Sequence, residues 1–552
     1  MTHAIDSVRA YHERTKHHFQ RYAAGPHGLD WATQPDPFRT YAGSRQTPLP
    51  LLPESSPIRQ VKYTDLYGGS IAPQALDLTH IAALLELAFG LSAWKQYGDN
   101  RWALRCNPSS GNLHPTEAYV VAQGCAGLND GVHHYVSRDH VLEQRCALNG
   151  AALPAGGFLV GLSAIHWREA WKYGERAFRY CQHDAGHALA ATRYAAAVLG
   201  WRVRLLDDWA DAEIAALLGL DRAEDFGEAE REHPDLLLWV ETRAVSDQRS
   251  AVSSQRSAVS DQRSAISAQS LHAAAGQWSG RANVLSPEHK HDWPVIEEVA
   301  EASRKPRTEA GAWQPPALPA PLPSTCPAGA LELIKQRRSA QEFDGVTSIS
   351  NGAFYRMLDL TLPRANVPPW DAIAWPPRIH LALFVHRIEG LMPGVYFLLR
   401  NDGVETRMRA ELSNEFQWEK VAGCPAHLKL YRVVAADTRN AARALSCHQD
   451  IAADSAFSLG MLAEYDRALE AGPWAYRQLF WEAGMLGQVL YLEAEAAGVR
   501  GTGIGCFFDD GVHDLLGIEG RWLQSLYHFT VGGALSDERL QTLPPYAHLQ
   551  GR

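Results

Sequence analysis

The run IKQRRSAQEF places Arg337, Arg338 and Ser339 side by side at the end of a helical stretch and before a turn. Two guanidiniums and a hydroxyl in sequence can hold a phosphate through forked, charge-assisted hydrogen bonds. Taken alone, the same run also describes a solvated basic helix end. In RCNPSSGNLHPTEAYVV a turn rich in Pro, Ser, Gly and Asn feeds a strand. There Pro108, Ser109, Ser110 and Asn112 would present backbone N–H groups, hydroxyls and an amide to a polar ring edge or a phosphate. GTGIGCFFDD, from Gly501 to Asp510, lacks the GxGxxG spacing and the strand–turn–helix setting of a dinucleotide fold. Gly501, Gly503 and Gly505 read instead as backbone lying close to a flat ligand. His183 and His187, four apart, could share a helix face as metal ligands, but no third ligand is evident. Both, like His133 and His134, are read as structural, and no metal is expected. Cys506 lies beside the glycine loop without the neighbours of a catalytic thiol.

The elements that would position these residues come in two copies. DAGHALAATRYAAAVLGW, starting at Asp184, aligns without a gap on EAGMLGQVLYLEAEAAGV, starting at Glu482, and LLGL at 217 falls on LLGI at 515. The same offset pairs Gly174 with Gly472, Ala177 with Ala475, Phe178 with Tyr476 and Arg179 with Arg477. Each copy reads as a helix stopped by Gly200 or Gly498, where glycine can take the left-handed conformation. The small residues Gly186, Ala190, Ala197, Gly484 and Ala494 would let two such helices approach closely. Strand-like runs precede each helix, at Ala118–Ala122 and Ile379–Val385, so the fold class is α+β: a duplicated domain fused into an intramolecular pseudo-dimer. Between the halves, residues 244–270 repeat AVSDQRS with adjacent apolar residues, which does not give a coiled-coil seam, and Ala/Ser-rich then Pro-rich sequence follows. This stretch reads as a linker.

The chain has 552 residues, 46% of them hydrophobic, enough for sizeable cores in two to four domains. With Lys+Arg 52 against Asp+Glu 62, its net charge of −10 argues against nonspecific binding to nucleic acid. No apolar run approaches the length of a membrane span and the start is too polar for a secretion signal, so a cytoplasmic, soluble protein is expected. The eight cysteines include no CxxC pair, and no structural disulfide is expected.

Taken together, the RRS motif, the PSSGN turn, the glycine-containing helix, the glycine loop and the terminal VGGALSDER, in that arrangement, resemble the nitroreductase superfamily of flavin enzymes. The resemblance implies two fused nitroreductase-like, FMN-dependent domains with FMN at their interface. Arg337, Arg338, Ser339 and Arg539 would hold its phosphate. Gly501, Gly503 and Gly505 would line the isoalloxazine, reached from the opposing half by Pro108, Ser109, Ser110 and Asn112. The first half has RQVKYTDLYGG where an RRS is wanted, and the second has VPPWDAIAWPP in place of the PSSGN turn. One FMN per chain is therefore expected.

WKYGERAFRYCQHDAGHAL, with the PSSGN turn and the HHY at 133–135, is similar to the SagB/ThcOx-type azoline dehydrogenases. In that group a Lys-Tyr pair assists oxidation of peptide thiazolines or oxazolines, and Lys172 and Tyr173 match it. Aromatising an azoline removes a carbon-bound proton and a hydride, so a base must stand beside a two-electron acceptor. A lysine serves if its pKa is lowered, and a tyrosine can relay the proton. The expected organisation is a lead-in at 1–57, a first nitroreductase-like domain at 58–243, a linker at 244–325 and a second domain at 326–552. The expected function is an FMN-dependent dehydrogenase acting on a small-molecule or peptide-derived substrate. An NAD(P)H-dependent nitro or quinone reductase, and a flavin-binding scaffold without turnover, are the alternatives.

Overall fold

The same sheet is built twice. The computed structural model describes residues 2–243 and 266–549, so the repeat read at 244–270 lies almost wholly outside the described residues. In the first half the strand order is Arg202–Leu205, His233–Glu241, Gly157–Ala164, Thr116–Ala122, Gly131–Val136, Val141–Leu148. In the second it is Arg500–Ile504, Leu523–Gly532, Phe457–Glu464, Ile379–Val385, Gly394–Leu399, Lys429–Ala435. Position for position the two orders correspond, and the neighbours are antiparallel in both. Thr116–Ala122 and Ile379–Val385, which stand at equivalent places and read as alternating runs in the sequence, are instead buried along their whole length, because both faces of each central strand are covered.

Between the sheets lie two 22-residue helices, Ala177–Val198 and Ala475–Ala496. They cross at the equivalent glycines. A Cβ on Gly186 would fall 2.7 Å from the Trp481 Cα, and one on Gly484 would fall 2.8 Å from the His187 nitrogen. Only glycine permits this backbone approach, so the small residues seen in the sequence do set the helix packing. Trp481 Nε1 donates to Gln182 Oε1 at 2.7 Å across the same contact. Gly200 and Gly498 follow the helix ends with φ of +66° and +74°, the left-handed stop that the sequence calls for.

The halves also exchange segments. Strand Gln541–Leu543 of the second half pairs with Leu91–Tyr97 of the first, and helix Thr2–Arg14 reaches back through His12 to Gln524 and through Arg9 to Asp466. The molecule is thus a tandem mixed α/β structure closed on itself by an internal two-fold relationship.

Within the expected linker, residues 266–302 are packed against the first half. Helix Ala268–Ala274 leads into strand Ala275–Trp278, which pairs with Val141–Leu148 and sets the Trp278 ring over Gly219. Helix Pro294–Ala302 buries Val295, Ile296 and Val299. Trp278 and Trp293 are the large apolar residues that composition alone hid among Ala and Ser. Among the described residues no helix is long and apolar enough to cross a membrane, and all eight cysteines are free thiols.

Candidate active site

Between the halves opens a cavity of about 730 Å³, a volume suited to a cofactor-sized ligand. One wall is the first half's turn, Pro108 to Asn112, which follows strand Asn100–Arg105. Facing it are Arg337, Arg338 and Ser339, just past helix Ala330–Gln336, together with Gly503 and Gly505 from strand Arg500–Ile504 and its exit. The turn and the basic motif, far apart in the chain, line the same cavity.

The basic end is crowded with cations. Arg337 is buried, donating to the carbonyls of Cys106 and Arg105 at 3.2 Å each, with its guanidinium carbon 5.0 Å from the Tyr491 ring centroid. Arg338 donates to the carbonyls of Lys335, Arg337 and Ser92. Burial and then the charge of Arg337 push Arg338 down to about 10. Lys95 and Arg500 line the same end, and burial followed by Arg338 and Arg500 lowers the Lys95 pKa. Cations that depress one another's pKa create the positive potential an anionic phosphate would relieve. Ser339 shares a 2.8 Å hydrogen bond with the Tyr491 hydroxyl, which accepts from the Gly503 N–H at 2.9 Å. Lys95 and Arg500 escaped the sequence reading because no local motif carries them.

The opposite end holds a cluster of titratable groups. Helix His166–Tyr173 ends at Lys172 and Tyr173, and both converge on Gly111 of the turn. A Cβ on Gly111 would meet the Tyr173 hydroxyl at 2.5 Å and the Lys172 Nζ at 3.1 Å, and the glycine sits at φ +59°. Glycine is required here for both space and backbone conformation. Lys172 Nζ stands 5.3 Å from the Tyr173 ring centroid, and the Tyr173 ring lies 4.5 Å from that of Tyr180, tilted by 45°, with the Tyr180 ring packed on Gly505. Burial, reinforced by Glu169, holds the Tyr173 phenol well above its ordinary pKa, so it stays protonated and acts as a donor.

The sequence reading missed Asp184. It lies on the first central helix, buried at the cavity wall, and accepts from the Ser110 N–H and hydroxyl at 3.1 Å each. Burial pushes its carboxyl up to about 7, although the bonds from Ser109 and Ser110 act the other way. Glu169, also buried, is held well above the carboxylate range by burial and then by Asp184.

Some expected site residues stand apart. Arg539 is largely exposed and bonds Asp537 within its own turn; Asp537, Glu538 and Leu540 of that turn line the cavity, and Arg539 itself does not. Gly501 packs beneath the rings of Phe529 and Tyr491. The Asn112 side chain is engaged within the protein, its amide donating to the Ala103 carbonyl at 2.8 Å and its oxygen 3.0 Å from His114 Nε2. His187 faces the cavity, 3.2 Å from the Tyr527 hydroxyl, and burial and then Arg337 push it down to about 3. His183 stacks on the Tyr527 ring at 4.2 Å. His134 is clasped between Glu117 and Glu143 inside the first sheet, and His133 lies 2.9 Å from the Asn129 carbonyl.

The pseudo-symmetric position is closed. Only about 10 Å³ remains there, beside Leu205, Asp207, Gln478 and Trp481, the counterparts of Gly503, Gly505, Tyr180 and His183. Arg193 binds Asp371 of the VPPWDAIAWPP segment at 2.8 Å through two nitrogens, and Gly311 donates to Asp207 at 2.9 Å. The replaced turn and the incoming chain around Gly311 fill the space that the other side leaves open.

No protein-family model matches the chain. A Methanocaldococcus jannaschii protein named as a nitroreductase is 25% identical over 176 residues, 30% of this chain and 80% of that one. The trifolitoxin-processing protein TfxB of Rhizobium leguminosarum bv. trifolii is 31% identical over 145 residues, 23% of this chain and 39% of that one. A crystal structure of an Anabaena variabilis protein, also named as a nitroreductase, superposes with a TM-score of 0.68 at 21% identity, covering 96% of this chain and 99% of that one. The chain has a nitroreductase-like fold, carried twice in one polypeptide.

Proposed function

We propose that the chain is an FMN-dependent oxidoreductase, a SagB/ThcOx-type dehydrogenase that oxidises azoline-type heterocycles or related natural-product intermediates. The observation that carries this reading is the convergence of Lys172, Tyr173 and Asp184 on the turn at Ser110 and Gly111, with Tyr173 and Asp184 lining a cavity that Arg337, Arg338, Lys95 and Arg500 also line. The likeness to a protein named for trifolitoxin processing supports a peptide-derived substrate.

The residues fit FMN. Arg337, Arg338 and Ser339, joined by Lys95 and Arg500, would hold its phosphate. Pro108, Ser109, Ser110, Gly503 and Gly505 would flank the ring system, where glycine backbone admits close approach. FMN in this cavity supplies the two-electron acceptor. The chain supplies the proton chemistry. An Asp184 carboxyl of pKa about 7 is half ionised near neutrality and can take the carbon-bound proton, the range a general base needs. Tyr173, kept protonated, donates a hydrogen bond to the heterocycle, and Lys172 stands beside it as the second member of the pair. Asp184 is buried, which keeps its carboxyl out of bulk water.

The test is the visible spectrum of the purified protein with released flavin quantified per chain. Anaerobic NADPH and then an azoline-containing peptide are added to the same sample. One FMN per chain, left oxidised by the nicotinamide and bleached by the azoline peptide, is expected. Rapid bleaching by NADPH with no azole product would replace this reading with a nitro or quinone reductase. Absence of flavin after reconstitution would leave a scaffold.

A further inference from the structure

Away from the cavity, on the face where the expected linker meets the first half, three side chains from separate segments converge. His166 opens the helix that ends in Lys172 and Tyr173, His233 opens strand His233–Glu241, and Glu297 lies on helix Pro294–Ala302. The two imidazoles stack at 4.1 Å with planes 14° apart. Each offers a nitrogen to the same carboxylate oxygen: His233 Nε2 is 3.3 Å from Glu297 Oε1, and His166 Nδ1 is 3.8 Å from it. The latter distance is too long for a hydrogen bond. His166 is 4% exposed, and its Nδ1 is a buried polar atom with no hydrogen-bond partner.

We infer that His166, His233 and Glu297 bind one divalent transition metal ion, with zinc the best match, which fastens the chain at 294–302 to the first half. Three donor atoms, one from each residue, lie within 4.8 Å of one another. A tetrahedral zinc site with bonds near 2.1 Å needs its donors about 3.4 Å apart and each imidazole lone pair aimed at the ion in its own ring plane, so closing it requires the two stacked rings to turn apart about their side-chain torsions. Two imidazole nitrogens and one carboxylate are a zinc ligand set and a poor one for magnesium or calcium, which take oxygen. The fourth position faces outward, because His233 is partly exposed and the Glu297 side chain is 64% exposed, so water can complete the shell. A cation here removes both local difficulties at once: it gives the orphaned His166 nitrogen a partner and draws the second imidazole and the carboxylate to the same centre.

The site lies outside the proposed flavin chemistry and does not depend on it. Bound metal would tie together the start of the helix bearing Lys172 and Tyr173, the start of strand His233–Glu241 in the first sheet, and the segment that leads to the second half.

The experiment uses the full chain, stripped with EDTA, reloaded with zinc chloride or cobalt chloride and desalted. Metal per chain is measured by elemental analysis, cobalt coordination by visible absorption, and thermal melting is recorded with and without zinc. The wild-type chain should retain one more equivalent of zinc than His233→Ala or Glu297→Gln. It should also show a cobalt ligand-field band that both variants lack, and it alone should melt higher on adding zinc. Loss of a direct ligand should weaken zinc at least ~100-fold, the upper end of what outer-shell changes cost. Equal zinc retention, equal cobalt spectra and equal melting in all three proteins would overturn the site and leave a histidine–glutamate contact. Should His233→Ala melt abnormally in EDTA, Glu297→Gln, altered at an exposed side chain, decides between the same two outcomes.

Discussion

Ser110 gives Asp184 two hydrogen bonds, from its backbone N–H and from its hydroxyl, each 3.1 Å long. The contact joins the turn that covers the cavity to the central helix that forms the pseudo-dimer core. It also fixes a buried carboxyl at the cavity wall, with burial outweighing these bonds and raising the acid to about 7. A base of this kind is active only when ionised, so turnover should rise with pH and level off above about 7.

Asp184→Asn should remove that limb. The amide keeps the hydrogen-bond geometry with Ser110 but cannot take a proton, so the rate of anaerobic flavin bleaching by an azoline peptide should fall ~10²- to 10⁴-fold and lose its pH dependence near 7. FMN content should stay at the wild-type level. An unchanged profile in the variant would return the base role to Lys172.

Gly111→Ala tests the convergence of the turn with the Lys-Tyr pair. The added methyl meets the Tyr173 hydroxyl at 2.5 Å and the residue must hold φ +59°. The backbone cost alone is about 1–3 kcal/mol. Azoline oxidation should drop sharply while the flavin spectrum persists, as stopped-flow bleaching and absorption would report. Full activity would mean that Lys172 and Tyr173 work independently of the turn.

The phosphate assignment separates residues that the motif reading grouped together. Arg338→Ala removes a cation from a crowded, half-dry cluster, and the loss of a charge-assisted contact of about 1.5–3 kcal/mol should weaken FMN ~10- to 100-fold. Arg539→Ala, on an exposed turn and bonded to Asp537, should leave FMN affinity unchanged. Fluorescence titration of the apoprotein with FMN checks both. Equal losses in the two variants would place Arg539 on the phosphate after all.

How much of this was legible in the sequence varied with how local the determinant was. The duplication stood out because Asp184–Trp201 and Glu482–Val499 align without a gap, and the crossing of the two helices follows from Gly186 and Gly484. The face of the first central helix was misjudged. Pairing His183 with His187 turned attention from the stripe Tyr180, Asp184 and His187, whose i, i+4, i+7 spacing lines the cavity. Lys95 and Arg500 come to the phosphate end only through tertiary docking of the hairpin Leu91–Arg105 and the last strands, for which no short motif exists. The packing of 266–302 was obscured because a polar repeat beside it set the composition, although Trp278 and Trp293 marked apolar surface to be buried.

His134 makes a prediction about stability and not about turnover. It sits buried between Glu117 Oε2 at 2.9 Å and Glu143 Oε2 at 3.3 Å. Burial opposes its charge, but the hydrogen bonds and charges of the two glutamates prevail and raise it to about 9 from the usual 6.5. A histidine whose folded pKa is raised binds its proton more tightly when folded. Its stabilisation is therefore fully present below pH 6.5 and is lost as pH rises through about 9. Each pKa unit corresponds to about 1.4 kcal/mol, so the window spans a few kcal/mol at most. Urea unfolding of the wild-type chain should lose stability between pH 6.5 and 9 more steeply than His134→Gln. The variant keeps a donor for one glutamate but has no charge to release. Parallel slopes for the two proteins would show that His134 is neutral in the folded sheet, with the Arg168 guanidinium, which binds Glu117, carrying the charge balance instead.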